Sequence, residues 1–151
     1  MFDVRVRDVM ERRKLLAAGP ETPVVRAAKL MCAKGVGALL VVERSNLLGI
    51  FTERDALFRV MAAALDAKTT KVGDVMTPEP KTIAPGESFG RALLLMHENG
   101  FRHLPVVEDG IAIGIISARN ALDPDLEEFT AEAHRREHLR APAQGRARQS
   151  R

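Results

Sequence analysis

Val6-Arg7-Asp8-Val9-Met10 returns about sixty-five residues later as Val72-Gly73-Asp74-Val75-Met76, and a period of that length sets the architecture before any single element is assigned. From Pro20 onward the two halves align without a gap. Pro20 matches Pro85, Arg26-Ala27 matches Arg91-Ala92, Met31 matches Met96 and Gly35 matches Gly100. Val41-Val42-Glu43 answers Val106-Val107-Glu108, and Gly49-Ile50 answers Gly114-Ile115. Identities in both apolar and turn positions, at one spacing, define an internal duplication.

Each half has the same local pattern. Val24, Ala27, Ala28 and Met31, and likewise Phe89, Ala92, Leu93 and Met96, fall at i, i+3, i+4, i+7 and predict a helix that Gly35 or Gly100 stops. Two apolar runs follow, Ala38 to Val42 and a second ending in Gly49-Ile50-Phe51, or Leu104 to Val107 and a second ending in Gly114-Ile115-Ile116. The turns between them, Arg44-Ser45-Asn46 and Asp109-Gly110, predict β-hairpins. Asp55 to Leu65 then places Leu57, Met61, Ala64 and Leu65 on one face of a further helix. With opening strands near Leu15-Leu16-Ala17 and Thr82-Ile83, each unit reads β-α-β-β-α.

The fold class is therefore α/β, of the α+β kind: two tandem repeats packed sheet to sheet about a pseudo-twofold. Residues 1–65 form the first repeat, 66–123 the second, and 124–151 a C-terminal helix and tail. A unit of roughly sixty residues buries only about 60% of its unfolded surface, so each sheet needs the other copy to cover it. Such pairing leaves crevices between the halves, where ligands collect.

The 151 residues are 46% apolar and 28% charged, which excludes disorder throughout. A single thiol, Cys32, provides neither an internal disulfide nor a thiolate zinc site. The longest apolar stretch, Val36 to Val42, is too short for a bilayer, and Met1-Phe2-Asp3-Val4-Arg5 lacks a secretory core, so a cytoplasmic location is expected. A net charge of +3, from 23 basic and 20 acidic residues, is too balanced to indicate nucleic acid.

The chemistry concentrates where the second hairpin strand ends. Gly49-Ile50-Phe51-Thr52-Glu53-Arg54-Asp55 and Gly114-Ile115-Ile116-Ser117-Ala118-Arg119-Asn120 both fit Gly-apolar-apolar-Thr/Ser-x-Arg-Asp/Asn. One reading is a helix cap, with Thr52 or Ser117 as N-cap and Asp55 as its reciprocal partner. The other is a receptor in which a hydroxyl and backbone N–H groups meet phosphate while the acid or amide accepts from a ribose diol. Gly49 and Gly114 suit the close approach of a flat ligand or of packed side chains.

This paired pattern resembles the tandem cystathionine-beta-synthase (CBS) domain, or Bateman module, of the small stand-alone bacterial type. The resemblance covers roughly residues 3 to 123. Val72-Gly73-Asp74-Val75-Met76-Thr77-Pro78 and Arg102-His103-Leu104-Pro105-Val106-Val107 also suit the family. It implies a non-catalytic sensor of an adenosine-containing ligand (AMP, ADP, ATP, a nicotinamide dinucleotide or S-adenosylmethionine), working as a homodimer with a further protein partner. Asp55 and Asn120 would hold ribose hydroxyls, Thr52 and Ser117 the phosphate or ribose side, and Arg102 and His103 the phosphate. The Thr82-Ile83 backbone would read the adenine edge, and Ile50, Ile115 and Val106 would wall the base. The candidate ligand-binding set is thus Thr52, Arg54, Asp55, Thr82, Ile83, Arg102, His103, Leu104, Pro105, Gly114, Ile115, Ser117, Arg119 and Asn120. No catalytic residue, metal or catalytic cofactor is implied. The copies differ: Gly37-Ala38 stands for Arg102-His103, Ala17 for Thr82 and Leu40 for Pro105, so the two crevices are expected to fill unequally. Pro105, which lacks an N–H, marks an edge or a bulge.

Rival motifs are weaker. Gly35-Val36-Gly37-Ala38-Leu39-Leu40 lacks the third glycine of a dinucleotide fingerprint and precedes a strand, and no Walker loop is present. His134-Arg135-Arg136-Glu137-His138 matches the His-x-x-Glu-His of inverted zinc proteases, but on a highly charged segment with thirteen residues left to supply a third ligand. Acids from Asp123 to Glu132 followed by arginines from Arg135 to Arg151 suit a helix over Asp125 to about Leu139, with a disordered end after Pro142. Those arginines make nucleic-acid binding the alternative function, though no aromatic residue accompanies them for base stacking.

Overall fold

The computed structural model describes residues 4–12 and 15–121. The expected C-terminal helix, the His-x-x-Glu-His motif and the arginine tail lie outside them. The chain falls into two compact units, Met1–Ala118 and Arg119–Arg151, and the fold below is that of the first.

The elements run α1 (Val6–Val9), β1 (Ala17–Ala18), α2 (Val24–Lys34), β2 (Ala38–Glu43), β3 (Asn46–Thr52) and α3 (Glu53–Asp55), which continues as a π-helical stretch over Ala56–Met61. Then come α4 (Val72–Val75), β4 (Thr77–Pro78), α5 (Phe89–Asn99), β5 (His103–Glu108), β6 (Ile111–Ser117) and a 3₁₀ turn over Ala118–Ala121. Both long helices end as the glycines require, with Gly35 at φ 64° and Gly100 at φ 70° in the left-handed region. Both hairpins turn on two residues of positive φ, Arg44 and Ser45 in one and Asp109 and Gly110 in the other, the backbone that matches strand twist.

The first sheet has the order β1-β2-β3-β4, with β1 parallel to β2 and the remaining pairs antiparallel. The second is the hairpin β5-β6, flanked by single bridges, Ile83 to Val106 and Glu11 to Ile115, at the equivalent positions. The difference traces to Pro105. The Leu40 amide donates to the Leu16 carbonyl at 2.8 Å, whereas Pro105 at the matching position has no N–H to give, and β1 has no full counterpart. Each hairpin carries a register shift at the same place, between Val41 and Val42 and between Val106 and Val107.

Leu39, Val41 and Phe51 face the helices and are buried against Val24, Ala27 and Met31 of α2, Val60, and Val72 and Val75 of α4. The opposite face, Ala38, Leu40 and Ile50, packs on Ala112 and Ile115 of the second repeat, so the repeats meet sheet to sheet. The Val-x-Asp-Val segments cross between repeats. The Val6 and Arg7 amides bond the Glu87 and Pro85 carbonyls at 2.9 and 3.0 Å, and the Val72 and Gly73 amides bond the Thr22 and Pro20 carbonyls, both at 2.9 Å. Each repeat is completed by the other's opening segment.

Two expectations need correction. Ala28 is exposed rather than part of the α2 core face. The helix after Asp55 does not bury Leu57, Met61, Ala64 and Leu65: Leu57, Met61 and Leu65 are exposed, as is Phe58, while Val60 is buried. The physical reason is the π-helical winding over Ala56–Met61, seen in the bond from Ala62 N to Leu57 O at 2.8 Å, which turns the side chains off the 3.6-residue repeat. The bonds from Ala64 N to Met61 O and from Leu65 N to Val60 O, both 3.0 Å, then cap its C-terminal end. Ala64 sits at φ 55°, beyond the helix.

Candidate functional site

The segment Thr52–Asp55 folds as a reciprocal cap. The Asp55 amide donates to Thr52 Oγ1 at 3.3 Å, while the Thr52 amide and hydroxyl donate to Asp55 Oδ2 at 2.9 and 3.0 Å. A β-region φ of −124° at Thr52 starts the helix, and the capping-box reading of the sequence is realised. Asp55 is 6% exposed, the one buried charged residue among those described. Its other oxygen, Oδ1, lies 3.5 Å from Arg59 Nε.

This cap opens on a cavity of about 470 Å³. Gly37, Ile50, Thr52, Glu53, Arg54, Asp55 and Arg59 line it from the first repeat, and Asn99, Phe101, Arg102 and His103 from the second. Thr77, Glu79, Pro80 and Lys81 close it from the segment between them. The Arg54 guanidinium donates to the Gly100 carbonyl at 2.9 Å, bridging the two repeats at the rim. The Arg102 carbonyl accepts from the Ala118 amide at 2.9 Å, while the side-chain cations of Lys81 and Arg102, both lining the cavity, have no hydrogen-bond or ion-pair partner among the described residues. Gly37 makes room for its neighbours: a Cβ there would stand 2.8 Å from Glu53 Oε1 and 3.4 Å from His103 Cε1.

Of the sequence candidates, Thr52, Arg54, Asp55, Arg102 and His103 are brought together here, with Ile50 as a wall. Leu104 and Pro105 are buried within β5, and Ile83 is buried where it bridges Val106, itself fully buried. Thr82 is exposed. Ile115 packs in the sheet-to-sheet core and Ser117 pairs with His103 across the hairpin. Arg119 and Asn120 lie on the 3₁₀ turn, in the residues of the second unit. The two motif glycines serve packing. A Cβ on Gly49 would collide with Met76 and come within 2.8 Å of the Thr77 carbonyl oxygen, and one on Gly114 would meet Met10 Sδ at 2.8 Å.

Sequence reasoning missed Glu53, Arg59, Lys81 and Phe101 among the lining residues. Arg59 had a legible signal, its i, i+4 spacing from Asp55. Among the described residues there is no group of three or more His, Cys, Asp or Glu placed to hold a metal ion, and no helix long and apolar enough to cross a membrane.

Two repeats built on the same helix and β-hairpin and joined face to face, with a cavity between a capped Thr-Asp pair and an Arg-His strand end, define a tandem CBS pair. The CBS domain family model matches residues 6–62 and 72–125, and the chain belongs to that family. It is 37% identical over 141 residues to the CBS domain-containing protein CBSX3, mitochondrial, of Arabidopsis thaliana, covering 86% of this chain and 68% of that one. It is 41% identical over 110 residues to the meiotically up-regulated gene 70 protein of Schizosaccharomyces pombe, covering 66% of this chain but only 15% of that one. Among solved structures, an uncharacterized conserved protein from Pyrococcus horikoshii superposes with a TM-score of 0.77 at 28% identity, covering 83% of this chain and 94% of that one. CBSX2 in complex with AMP superposes with a TM-score of 0.68 at 32% identity, covering 83% and 98%.

Proposed function

We propose that the chain is a non-catalytic regulatory module that binds an adenosine-containing ligand between its two CBS repeats and signals the level of that ligand to a protein partner. Residues 1–65 and 66–123 act as the two repeats, with 124–151 as an appendage. The observation that carries the reading is the cavity itself. A buried carboxylate with one oxygen turned from its cap lies in the same hollow as two side-chain cations, Lys81 and Arg102, that have no partner among the described residues. A ribose diol on Asp55 and phosphate on Arg102 and His103 satisfy both ends, with the base against Ile50. Its volume of about 470 Å³ falls in the usual range for small-ligand sites. The AMP carried by the related CBSX2 supports an adenylate over other anions.

Turnover forms no part of this proposal, because the hydroxyl of Thr52 is held in its bond to Asp55 and serves the cap. Regulation requires two states that bind the ligand unequally. The exposed Leu57, Phe58, Met61 and Leu65 supply an apolar face through which a homodimer can form and couple to occupancy.

Calorimetric titration with AMP, ADP, ATP, NAD and S-adenosylmethionine, repeated in Asp55→Ala and Arg102→Ala, tests the reading. Saturable heat from at least one of these, weakened in both variants, is the expected result. Flat heats for all five in the wild-type protein would remove it.

A further inference from the structure

We infer that Arg59 is a positioning residue that couples the ribose end of the cavity to the start of the second repeat; the inference rests on the adenosine reading above. Arg59 stands on the π-helical stretch, four residues after Asp55, and lines the cavity. Its guanidinium is shared. Nε lies 3.5 Å from Asp55 Oδ1, while Nη1 donates to the Met76 carbonyl at 2.7 Å and the Val75 carbonyl at 3.3 Å. These carbonyls close α4, where helix geometry leaves oxygens without partners inside the helix.

The two oxygens of Asp55 therefore have separate duties. Oδ2 is taken by the amide and hydroxyl of Thr52, and Oδ1, directed by Arg59, is the acceptor left for a ligand hydroxyl. The other arm of Arg59 fixes Met76, which lies across Gly49, and so holds the edge where Thr77 and Pro78 pair with Ile50 and Gly49. A hydroxyl that draws on Oδ1 must share it with Arg59, and any adjustment of the guanidinium is felt at the Val75 and Met76 carbonyls. The π-helical winding places Arg59 beside α4, and turns of this kind are frequent where a helix carries function.

The test compares AMP with its 2′,3′-dideoxy analogue, by calorimetry, in the wild-type protein, Arg59→Gln and Arg59→Lys. Amide exchange at Glu79, whose N–H bonds Leu48 beyond the β4 pairing, is followed in parallel. A hydrogen bond to a charged group is worth about 1.5–3 kcal/mol, so the wild-type protein should prefer AMP by about tenfold or more. Arg59→Gln should lose most of that preference by weakening AMP alone, Arg59→Lys should retain part of it, and AMP should slow Glu79 exchange in the wild-type protein but not in Arg59→Gln. A wild-type preference preserved in Arg59→Gln overturns the assignment, and so does unchanged Glu79 exchange when AMP saturates the wild-type protein. Absence of wild-type binding to either compound is a separate outcome: it removes the adenosine reading, and this inference falls with it.

Discussion

Met76 lies across the bare backbone of Gly49, and the Thr77 carbonyl sits so close that a Cβ at Gly49 would be 2.8 Å from its oxygen. Backbone cannot swing aside as a side chain can, so Gly49→Ala must shift the β3–β4 pairing. We expect a loss of about 1–3 kcal/mol of stability in chemical denaturation, as for other overpacked sites. Gly37→Ala is the control, since its Cβ would meet the carboxylate end of Glu53, a flexible group, and its cost should be clearly smaller.

How these glycines read from sequence shows where local pattern ends. The duplication, the hairpin turns and the caps at Gly35 and Gly100 are all encoded within a few neighbouring residues, and the structure has them where the sequence placed them. The contact of Met76 with Gly49 depends on α4 docking against the first repeat, and that crossing is a tertiary event no periodicity reports. The helix after Asp55 misled for a related reason. Its apolar residues fit a 3.6-residue repeat, but Arg59 reaches the Val75 and Met76 carbonyls from a π-helical turn, and Leu57 and Met61 face outward. In the cavity, the half carried by the Thr52–Asp55 motif was legible, whereas Lys81 and Phe101 arrive from segments without a motif.

The cap should matter without any ligand. Thr52 and Asp55 satisfy each other's amides, so Thr52→Ala and Asp55→Ala are each expected to cost about 0.5–2 kcal/mol in ligand-free protein. Because the two side chains share one set of bonds, the double variant should cost less than the sum. Full additivity in urea denaturation would mean that the reciprocal bonds do not hold in solution.

A pH effect is expected at the junction of the repeats, where Lys71 pairs with Glu21. The hydrogen bond and charge of Glu21 raise the Lys71 pKa above its ordinary 10.5. A folded-state pKa above the unfolded one means the pair's stabilisation is complete below 10.5 and fades as pH climbs through the raised value. Both groups are solvent-facing, so the effect is small. Denaturation of wild-type protein and Lys71→Met should therefore show a slight gap at neutral pH that closes above 10.5. A gap that widens there would contradict the assigned sign.

The apolar face beyond Asp55 predicts an assembly phenotype separable from folding. Phe58 is 60% exposed and Met61 73%, so charged residues there remove little burial within the chain. A second copy covering that face would instead have to bury the new charge, a penalty of several kcal/mol when it is left unpaired. In sedimentation velocity, Phe58→Glu and Met61→Lys should move the protein from dimer to monomer, with thermal midpoints at low concentration nearly unchanged. Leu94→Glu serves as the comparison, because Leu94 is similarly exposed but stands on α5, apart from the π-helical stretch, and should leave the mass untouched. Wild-type protein sedimenting as a monomer, or Phe58→Glu sedimenting as the wild type does, would show that this face is not where two copies meet.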